Sequence, residues 1–364
     1  MEVLLYLTPL DLLIMAKARM ALYRLQPVVP KTAAGLLSTW KYVGEPILDM
    51  WSDHTIPVYY HSKIFSVIID WDYWRNKNPV FPEDVLIWLT DGSRASSGTG
   101  SGIFGIRPNK SFIFPLGKFA MVFQTEVYAI LQCACENIRR AYKNKQILIF
   151  ADSQAALKAL SSPKVTSGLV AECLDVLFAL ASLNEVNIIW VLGHCGILGN
   201  EEADKLARQA SAMPLLGPEP ALGIPRCSAR EAIKNWTEHQ HYSTWRDLPG
   251  HRQGKLFIGR PCKRRADDLL KLSRHQLKTV VAILTGDAPV RRHLYIMGLF
   301  DGDPTCRFCR METEIVQHII CCCEALARQL YNVFGKLTAE PKDISTVSVR
   351  GLCLFIRGTG LLNL

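Results

Sequence analysis

The sequence predicts an α/β fold, a mixed five-stranded β-sheet with flanking helices, between residues 85 and 212. Two apolar runs joined by a short turn at residues 108–110 predict a β-hairpin. Two later apolar runs each follow a helical pattern, and such crossovers place a strand parallel to its neighbour. The element order is therefore β-β-β-α-β-α-α-β-α, with an antiparallel part followed by a parallel part.

Each predicted element carries its own signal. The strands are short apolar runs rich in β-branched and aromatic residues: VLIWLTD, GSGIFGIRP, SFIFPLGKF, QILIFAD and NEVNIIWVLGH. The helices show helical spacing of apolar residues: FQTEVYAILQCACENIRRAYKN, SQAALKAL behind the cap Ser153, VTSGLVAECLDVLFALASL after Pro163, and EEADKLARQASA, opened by Gly199 or Asn200.

Three segments flank this domain. Residues 1–84 predict a connector that opens with a helix near Thr8 and Pro9. The Pro- and Gly-rich stretch 213–226 predicts a linker. Residues 227–364 predict a small, basic, helical tail, with one helix capped by Ser228 and another, DDLLKLSRHQLKTVVAILTG, ended by Gly286.

Net charge, the N-terminal sequence and the length of apolar runs limit the classes of function. The net charge is +9, and from residue 215 onward 22 Lys and Arg face 14 Asp and Glu. This excess fits either a polyanionic partner such as nucleic acid or a solvated surface. The start of the chain carries Glu2 and Asp11, which argue against a signal peptide. No uncharged run reaches the roughly 18 residues that span a membrane, so we expect an intracellular protein, cytoplasmic or nuclear.

Four acidic residues stand where one metal site would need them: Asp91, Glu126, Asp152 and Asp204. Asp91 and Asp152 end predicted strands that should be parallel neighbours, so both should emerge at the same sheet edge. Glu126 is expected in the first turn of its helix and Asp204 in the first or second turn of the last helix. One such acid alone is usually a cap or turn residue, but four converging carboxylates favour Mg²⁺ or Mn²⁺.

These acids stand in motifs that resemble those of type I ribonuclease H domains: TDGS, QTE, ADSQAAL and W-x-x-GH-x-G-x-x-GNE-x-AD. The resemblance covers residues 85–212. It implies two Mg²⁺ held by the four acids and cleavage of the RNA strand of an RNA–DNA hybrid. It also implies that His194, in a loop, assists proton movement or product departure. Leu192 and Cys195 depart from the family pattern without removing a ligand.

A second group, Cys306, Cys309 and His318 followed by cysteines 321–323, has the spacing of zinc ligands. Spacing alone leaves the fourth ligand open among the three consecutive cysteines, or the group as unpaired thiols. The stretch from 306 to 323 resembles the C-terminal zinc-knuckle-like motif of non-LTR retrotransposon polymerases. That resemblance implies Cys323 as the fourth Zn²⁺ ligand. Basic runs at 263–265 and 291–293 would suit a phosphate backbone or a solvated face.

The opening segment T-P-L-D-L-L-I-M-A-K-A-R-M-A resembles the helix that follows the reverse transcriptase of these polyproteins. No aspartate-pair polymerase signature occurs, so a reverse transcriptase segment would be a separate partner. The predicted function is an active ribonuclease H. The alternative is a catalytically silent, nucleic-acid-binding retrotransposon relic. A transposase or integrase is disfavoured, because those enzymes use three acids at other spacings.

Overall fold

The computed structural model of the chain describes residues 2–26, 50–70, 82–193 and 198–361. They form two compact units. Lys17–Ile233 are called the sheet unit here, and Met1–Ala16 together with Lys234–Leu364 are called the helical unit. This division differs from the predicted boundaries in two ways. The 213–226 segment belongs to the sheet unit, and the first 16 residues of the predicted connector belong to the same unit as the C-terminal part.

The sheet unit alternates strands and helices. In chain order its described elements are part of α1 (Leu10–Leu25), β1 (His54–Tyr59), β2 (Ser66–Ile68), β3 (Leu86–Arg94), β4 (Thr99–Arg107), β5 (Lys110–Gly117), α2 (Val122–Arg139), β6 (Gln146–Ala151), α3 (Gln154–Ser161), β7 (Lys164–Ser167), α4 (Gly168–Ala181), β8 (Glu185–Trp190), α5 (Leu198–Ala212) and the start of α6 (Arg226–Asp247).

Six of the described strands form one mixed sheet, in the order β2-β8-β6-β3-β4-β5. β3, β4 and β5 are antiparallel, whereas β6 is parallel to β3 and β8 is parallel to β6. The predicted α/β fold with a mixed sheet is therefore confirmed. The sheet has one strand more than predicted, because β2 pairs in parallel with β8. Its three residues are too few to show a strand period in the sequence.

A second sheet of two strands, also within the sheet unit, pairs part of the predicted connector with the predicted 85–212 domain. β1 pairs antiparallel with β7, which occupies part of the segment predicted to be helical. Val165 and Thr166 are β-branched and favour this extended backbone. Helix α4 begins only at Gly168, and the Ser167 hydroxyl accepts a hydrogen bond from Val170 N at 3.2 Å. The carboxylate of Asp53 also accepts from Leu169 N at 2.9 Å, so the chain before β1 helps to cap α4.

Strand alternation separates two core layers. Trp88 and Ile149 belong to the larger apolar cluster, which includes Ile130 of α2 and Leu174 of α4. Their neighbours, such as Leu89, belong to a second cluster that includes Ala203 of α5. Because successive strand residues point to opposite faces, the sheet is buried on both faces. The sequence encodes this burial as nearly continuous apolar strands.

The helical unit has a separate apolar core. Its described elements are the remainder of α1 and α6, then α7 (Arg252–Ile258), α8 (Lys263–Leu270), α9 (Arg274–Thr285), α10 (Arg291–Ile296), α11 (Val316–Cys321), a 3₁₀ turn (Glu324–Leu326), α12 (Ala327–Phe334), α13 (Pro341–Thr346) and α14 (Val349–Thr359).

Helix starts in this unit differ from two predictions. The single helix predicted to end at Gly286 is two helices, α8 and α9, because Ser273 caps the second one. Gly286 does end α9, in the left-handed conformation with φ of 95°. Helix α6 begins at Arg226, so Ser228 lies in its first turn rather than at its cap.

The predicted linker is packed rather than free. Ile224 is buried, its N–H donates to Trp51 O at 2.8 Å, and its carbonyl accepts from Asp53 N at 2.9 Å. Gly223 O accepts from the Gln124 side chain at 2.8 Å. High Pro and Gly content predicts the absence of helix and strand, but it does not prevent a segment from packing on a core.

Among the helices of the described residues, none has the length and apolarity that crossing a membrane requires.

Candidate active site and Cys/His centre

Two of the predicted acids lie side by side at one edge of the sheet. Asp91 lies in β3, and Asp152 directly follows β6. Thr90 of β3 is paired with Ala151 of β6 in the parallel register, so the next residue after each of them is an aspartate. The Trp190 indole N–H donates to Asp152 O at 2.9 Å, which fixes the backbone there.

Glu126 reaches this edge from α2. Because α2 begins at Val122, Glu126 lies in its second turn, not in the first turn as predicted. A Cβ on Gly92 would lie 2.3 Å from Thr125 Oγ1 and 2.7 Å from Glu126 N. Only a glycine in β3 lets the helix approach this closely. The Ser101 hydroxyl also donates to Thr125 O at 2.6 Å, so α2 is held against both β3 and β4.

Asp204 comes from the second turn of α5, as predicted. A Cβ on Gly102 would lie 2.4 Å from both Ala203 O and Ala207 N, so the backbone of α5 rests directly on β4. Asp204 Oδ2 accepts from the Arg208 guanidinium at 2.5 Å.

Three of the four carboxylates form a tight group. Oxygens of Asp91, Glu126 and Asp152 all lie within 4.8 Å of one another, whereas Asp204 lies outside this group. Burial, followed by the charges of Asp152 and Asp204, raises the pKa of Asp91 to about 7. Burial and the charge of Asp91 raise the pKa of Glu126 well above its ordinary value. The conflict of buried like charges is what a bound cation relieves.

The donor set fits a hard divalent cation. All of its ligand atoms are carboxylate oxygens, the type that Mg²⁺ and Mn²⁺ prefer. Glu126 Oε2 is buried and accepts no hydrogen bond from the described residues. A buried acceptor without a donor costs free energy unless a ligand satisfies it.

Comparison with protein families matches the RNase H model to residues 83–212. Residues 83–212 form a ribonuclease H domain. This confirms the resemblance in the sequence motifs for that part of the 364-residue chain. The ribonuclease H domain is a nuclease that acts on RNA–DNA hybrids, and domains of this family generally use Mg²⁺. Comparison with curated proteins gave no match.

The loop histidine of the ribonuclease H domain, His194, lies outside the described residues, as does Cys195. The residue before this loop lies next to the acids, because a Cβ on Gly193 would lie 2.8 Å from Asp152 Oδ2. On the far side of the loop, Asn200 is buried, and its Oδ1 accepts no hydrogen bond from the part of the chain that the structure describes.

Sequence reasoning missed Arg208, which pairs with Asp204 in the ribonuclease H site. The signal was present, since residues four apart on a helix face one another and Asp and Arg form an ion pair at that spacing. It also missed the two glycines, Gly92 and Gly102, that bring α2 and α5 close to the sheet. Their role depends on contacts between elements that are distant in the sequence.

The structure also brings together the predicted cysteine and histidine ligands. Donor atoms of Cys306, Cys309, His318 and Cys323 all lie within 4.8 Å of one another. Sγ of Cys306 is 3.9 Å from Sγ of Cys323, and Sγ of Cys309 is 3.4 Å from Nε2 of His318. Three thiols and one imidazole are a donor set typical of structural Zn²⁺ sites, with which this cluster is compatible.

Thiol acidity within this centre is uneven. Burial raises the pKa of Cys309, but the N–H groups of Glu312 and Met311 and the His318 ring outweigh it and lower that pKa to about 6. Burial and the nearby Cys306 raise the pKa of Cys323 to about 12. Thiols this close cannot all be thiolates without a cation, which again fits a metal.

Three consecutive cysteines have three different environments. Cys323 is buried with the other donors of the centre, at the start of the 3₁₀ turn. Cys321 is buried in the apolar core of the helical unit, and Cys322 is exposed. The end of α11 at Cys321 changes the backbone direction and so separates these side chains.

The buried carboxylate of Glu314 binds Arg307, next to the ligand Cys306, and Arg291, which belongs to the predicted basic run 291–293. Glu314 is fully buried and accepts from the backbone N–H groups of Arg291 and Arg307, each at 2.8 Å. The guanidinium of Arg307 also donates to it at 2.7 Å. In the other basic run Arg265 is buried and donates to Ile344 O at 2.5 Å. The Arg291 guanidinium donates to Thr305 O at 3.0 Å, so the side chains of all three arginines have structural partners.

Proposed function

We propose that the chain cleaves the RNA strand of RNA–DNA hybrids through Asp91, Glu126, Asp152 and Asp204, which together hold two divalent cations. The observation that carries this proposal is the tight group of three carboxylates, two of them buried, inside a ribonuclease H domain. When bound, Mg²⁺ or Mn²⁺ supplies Lewis-acid activation of the attacking water and offsets charge at the phosphodiester.

The four acids have different tasks in this proposal. Asp91 and Asp152 provide ligands from the rigid sheet edge, where neither can move far. Glu126 contributes an oxygen that lacks a protein donor among the described residues. Asp204 contributes a further carboxylate ligand from α5. His194, which follows Gly193 in the sequence, assists proton movement or product departure. Hybrid selection rests on ribose 2′-OH contacts and minor-groove shape.

The second part of the proposal is a structural Zn²⁺ held by Cys306, Cys309, His318 and Cys323. It is supported by the clustering of their donor atoms and by the burial of three of the four residues. The Zn²⁺ orders the region between α10 and α12, and Mg²⁺ or Mn²⁺ serves the chemistry of the sheet unit.

The origin of the chain is the third part. We infer that it derives from a retrotransposon polymerase, with a reverse transcriptase segment as its partner and an intracellular location, cytoplasmic or nuclear. The sequence resemblances at both ends and the Cys/His clustering support this origin. A silent, nucleic-acid-binding relic is the alternative for this copy.

The test is cleavage of an end-labelled RNA–DNA hybrid by the purified chain with Mg²⁺, using double-stranded DNA as the control substrate. We expect Asp91→Asn and Asp152→Asn to reduce the rate by at least about a hundredfold, since each removes charge stabilisation at the reacting centre. His194→Ala should reduce it less. Full activity in either aspartate variant would contradict the assigned site. A wild-type chain that binds hybrid but does not cleave it would be the relic.

A further inference from the structure

Asp204 is paired with a cationic side chain of its own helix. It lies outside the 4.8 Å group, and its Oδ2 accepts from Arg208 at 2.5 Å. The two residues are four apart on α5, so they face one another one turn apart. One oxygen expected to serve a cation is therefore already bound to a cationic side chain of the same helix.

Arg208 lies at the rim of the carboxylate site. Its side chain is 64% exposed, whereas that of Asp204 is 15% exposed. Its charge also reaches Asp91, since it acts to lower the pKa of that carboxyl against the larger effect of burial. The guanidinium thus interacts with two of the four acids, and its exposed position lets it leave for solvent at little cost.

We propose that Arg208 occupies Asp204 as an internal cation until a divalent cation displaces it, and so sets the affinity of the cation that binds through Asp204. This inference rests on the proposed function. Arg208 is a positioning residue here, because it acts on the cation only through Asp204. The guanidinium and a divalent cation compete for the same carboxylate, and the positive charge of Arg208 opposes the approach of another cation.

The size of the effect follows from the exposure of the pair. Ion pairs with a solvent-exposed partner contribute up to about 1 kcal/mol, which corresponds to about a two- to fivefold change in a dissociation constant. An ordinary surface ion pair would leave cation binding unchanged. The same helix supplies that comparison, because Lys205 pairs with Glu202 at 3.5 Å on an exposed face.

The experiment is a Mn²⁺ titration of the full chain, with free Mn²⁺ measured by electron paramagnetic resonance and Zn²⁺ kept in the Cys/His centre. Arg208→Gln should lower the dissociation constant of the weaker Mn²⁺ site about two- to fivefold. Arg208→Lys, which keeps the charge, should stay near wild type, and Lys205→Gln should not differ from it. Thermal unfolding without Mn²⁺ confirms that each variant is folded.

A double-mutant cycle assigns the effect to Asp204. Asp204→Asn should abolish the weaker site, and adding Arg208→Gln to it should then change nothing. Unchanged or weaker Mn²⁺ binding in Arg208→Gln overturns the inference, while the proposed function stands if Asp91→Asn still removes binding. If the wild-type chain binds no Mn²⁺ that depends on Asp91, the proposed function and this inference both fail.

Discussion

At the carboxylate site, burial and mutual repulsion work against full ionisation. Asp91 and Glu126 are each at least nine-tenths buried, and both carboxyls have raised pKa values for the same two reasons. Their ordinary pKa values lie near 4. A residue that is protonated near neutral pH in the metal-free protein must lose its proton before it can bind a cation. Proton release should therefore accompany metal binding at this site.

This coupling predicts a pH-dependent cation affinity. The pKa of Asp91 in the folded, metal-free chain is about 7, above its unfolded value. Its proton is therefore held at pH 6 and lost as the pH rises through 7, where the metal-free fold also loses the stability that this proton provides. We expect Mn²⁺ affinity, measured by titration, to increase at least about tenfold from pH 6 to pH 8. A flat profile would show carboxyls with ordinary pKa values and would contradict the prediction.

Single residues could be predicted where a local signal existed. Asp152 directly follows β6 as predicted, and Asp91 ends the apolar run of β3, although that strand continues to Arg94. The pairing of the two strands followed from the pattern. The choice of Cys323 over its neighbours needed a family resemblance, because all three residues share one local composition. The Asp204–Arg208 ion pair could have been predicted from its spacing of four residues. Its proposed effect on cation binding depends on a site that residues from several strands and helices assemble.

At the scale of elements, close packing of α2 on β3 determines where Glu126 stands. We expect Gly92→Ala to destabilise the fold by about 1–3 kcal/mol, because its Cβ would meet the backbone of Glu126 at 2.7 Å. It should also weaken Mg²⁺ binding, since the helix must move away. Denaturant unfolding and a cation titration measure the two effects.

Gly168→Ala is the matched control for this helix contact. Its Cβ would make only ordinary contacts, the nearest being Asp53 O at 3.5 Å. It should leave both quantities near wild type. If Gly92→Ala behaved like this control, α2 could shift without moving Glu126, and close packing would not position the site.

The three consecutive cysteines give a second prediction at this scale. Cys323→Ser should release Zn²⁺, whereas Cys322→Ser should retain it, because only the first side chain belongs to the donor group. Cys321→Ser should retain Zn²⁺ while lowering the melting temperature, since its thiol is buried in the apolar core. Elemental analysis of protein purified under reducing conditions measures the metal. Zinc loss from Cys322→Ser with retention in Cys323→Ser would reassign the fourth ligand.

Elements were predictable where the period was long and unbroken. Helices α2 and α5 and the five longer sheet strands followed from their apolar spacing. β7 was missed because it is four residues long and precedes a strong helix pattern, whose apolar residues dominated the interpretation. The division between α8 and α9 was missed for the related reason that Ser273 can sit within a helix pattern or cap a new one.

At the scale of the whole molecule, charge is divided unevenly between the two units. The helical unit carries 20 Lys and Arg against 14 Asp and Glu, whereas the sheet unit carries 22 against 19. Arg265, Arg291 and Arg307 are held by internal hydrogen bonds, whereas Lys263 and Arg264 are exposed. The sequence predicted the basic excess correctly, but only the fold separates cations that serve the structure from those that phosphates can reach.

This division predicts how salt should affect hybrid binding. A chain ending at Ile233 keeps the packed 213–233 segment and loses the basic excess. It should still cleave hybrid but bind it more weakly. Its affinity should also depend less steeply on salt, since each lost phosphate contact lowers the slope by about 0.7–0.9. Fluorescence anisotropy at several salt concentrations, with Asp91→Asn in both chains to prevent cleavage, gives the two slopes.

The full-length double variant Lys263→Gln with Arg264→Gln tests the same point without removing the helical unit. Its slope should fall by about 1.4–1.8 if both side chains contact phosphate, while Lys271→Gln, whose side chain pairs with Asp268 at 3.1 Å, serves as the control. Removal of Zn²⁺ should resemble the truncation in its effect on hybrid binding. It should leave the Mg²⁺-dependent rate at saturating hybrid unchanged, because the thiolate ligands order the helical unit and not the sheet.

Equal salt slopes for the full-length chain and the chain ending at Ile233 would mean that the basic residues of the helical unit do not contact the hybrid. That unit would then act through another partner, of which a reverse transcriptase segment is the one the sequence suggests.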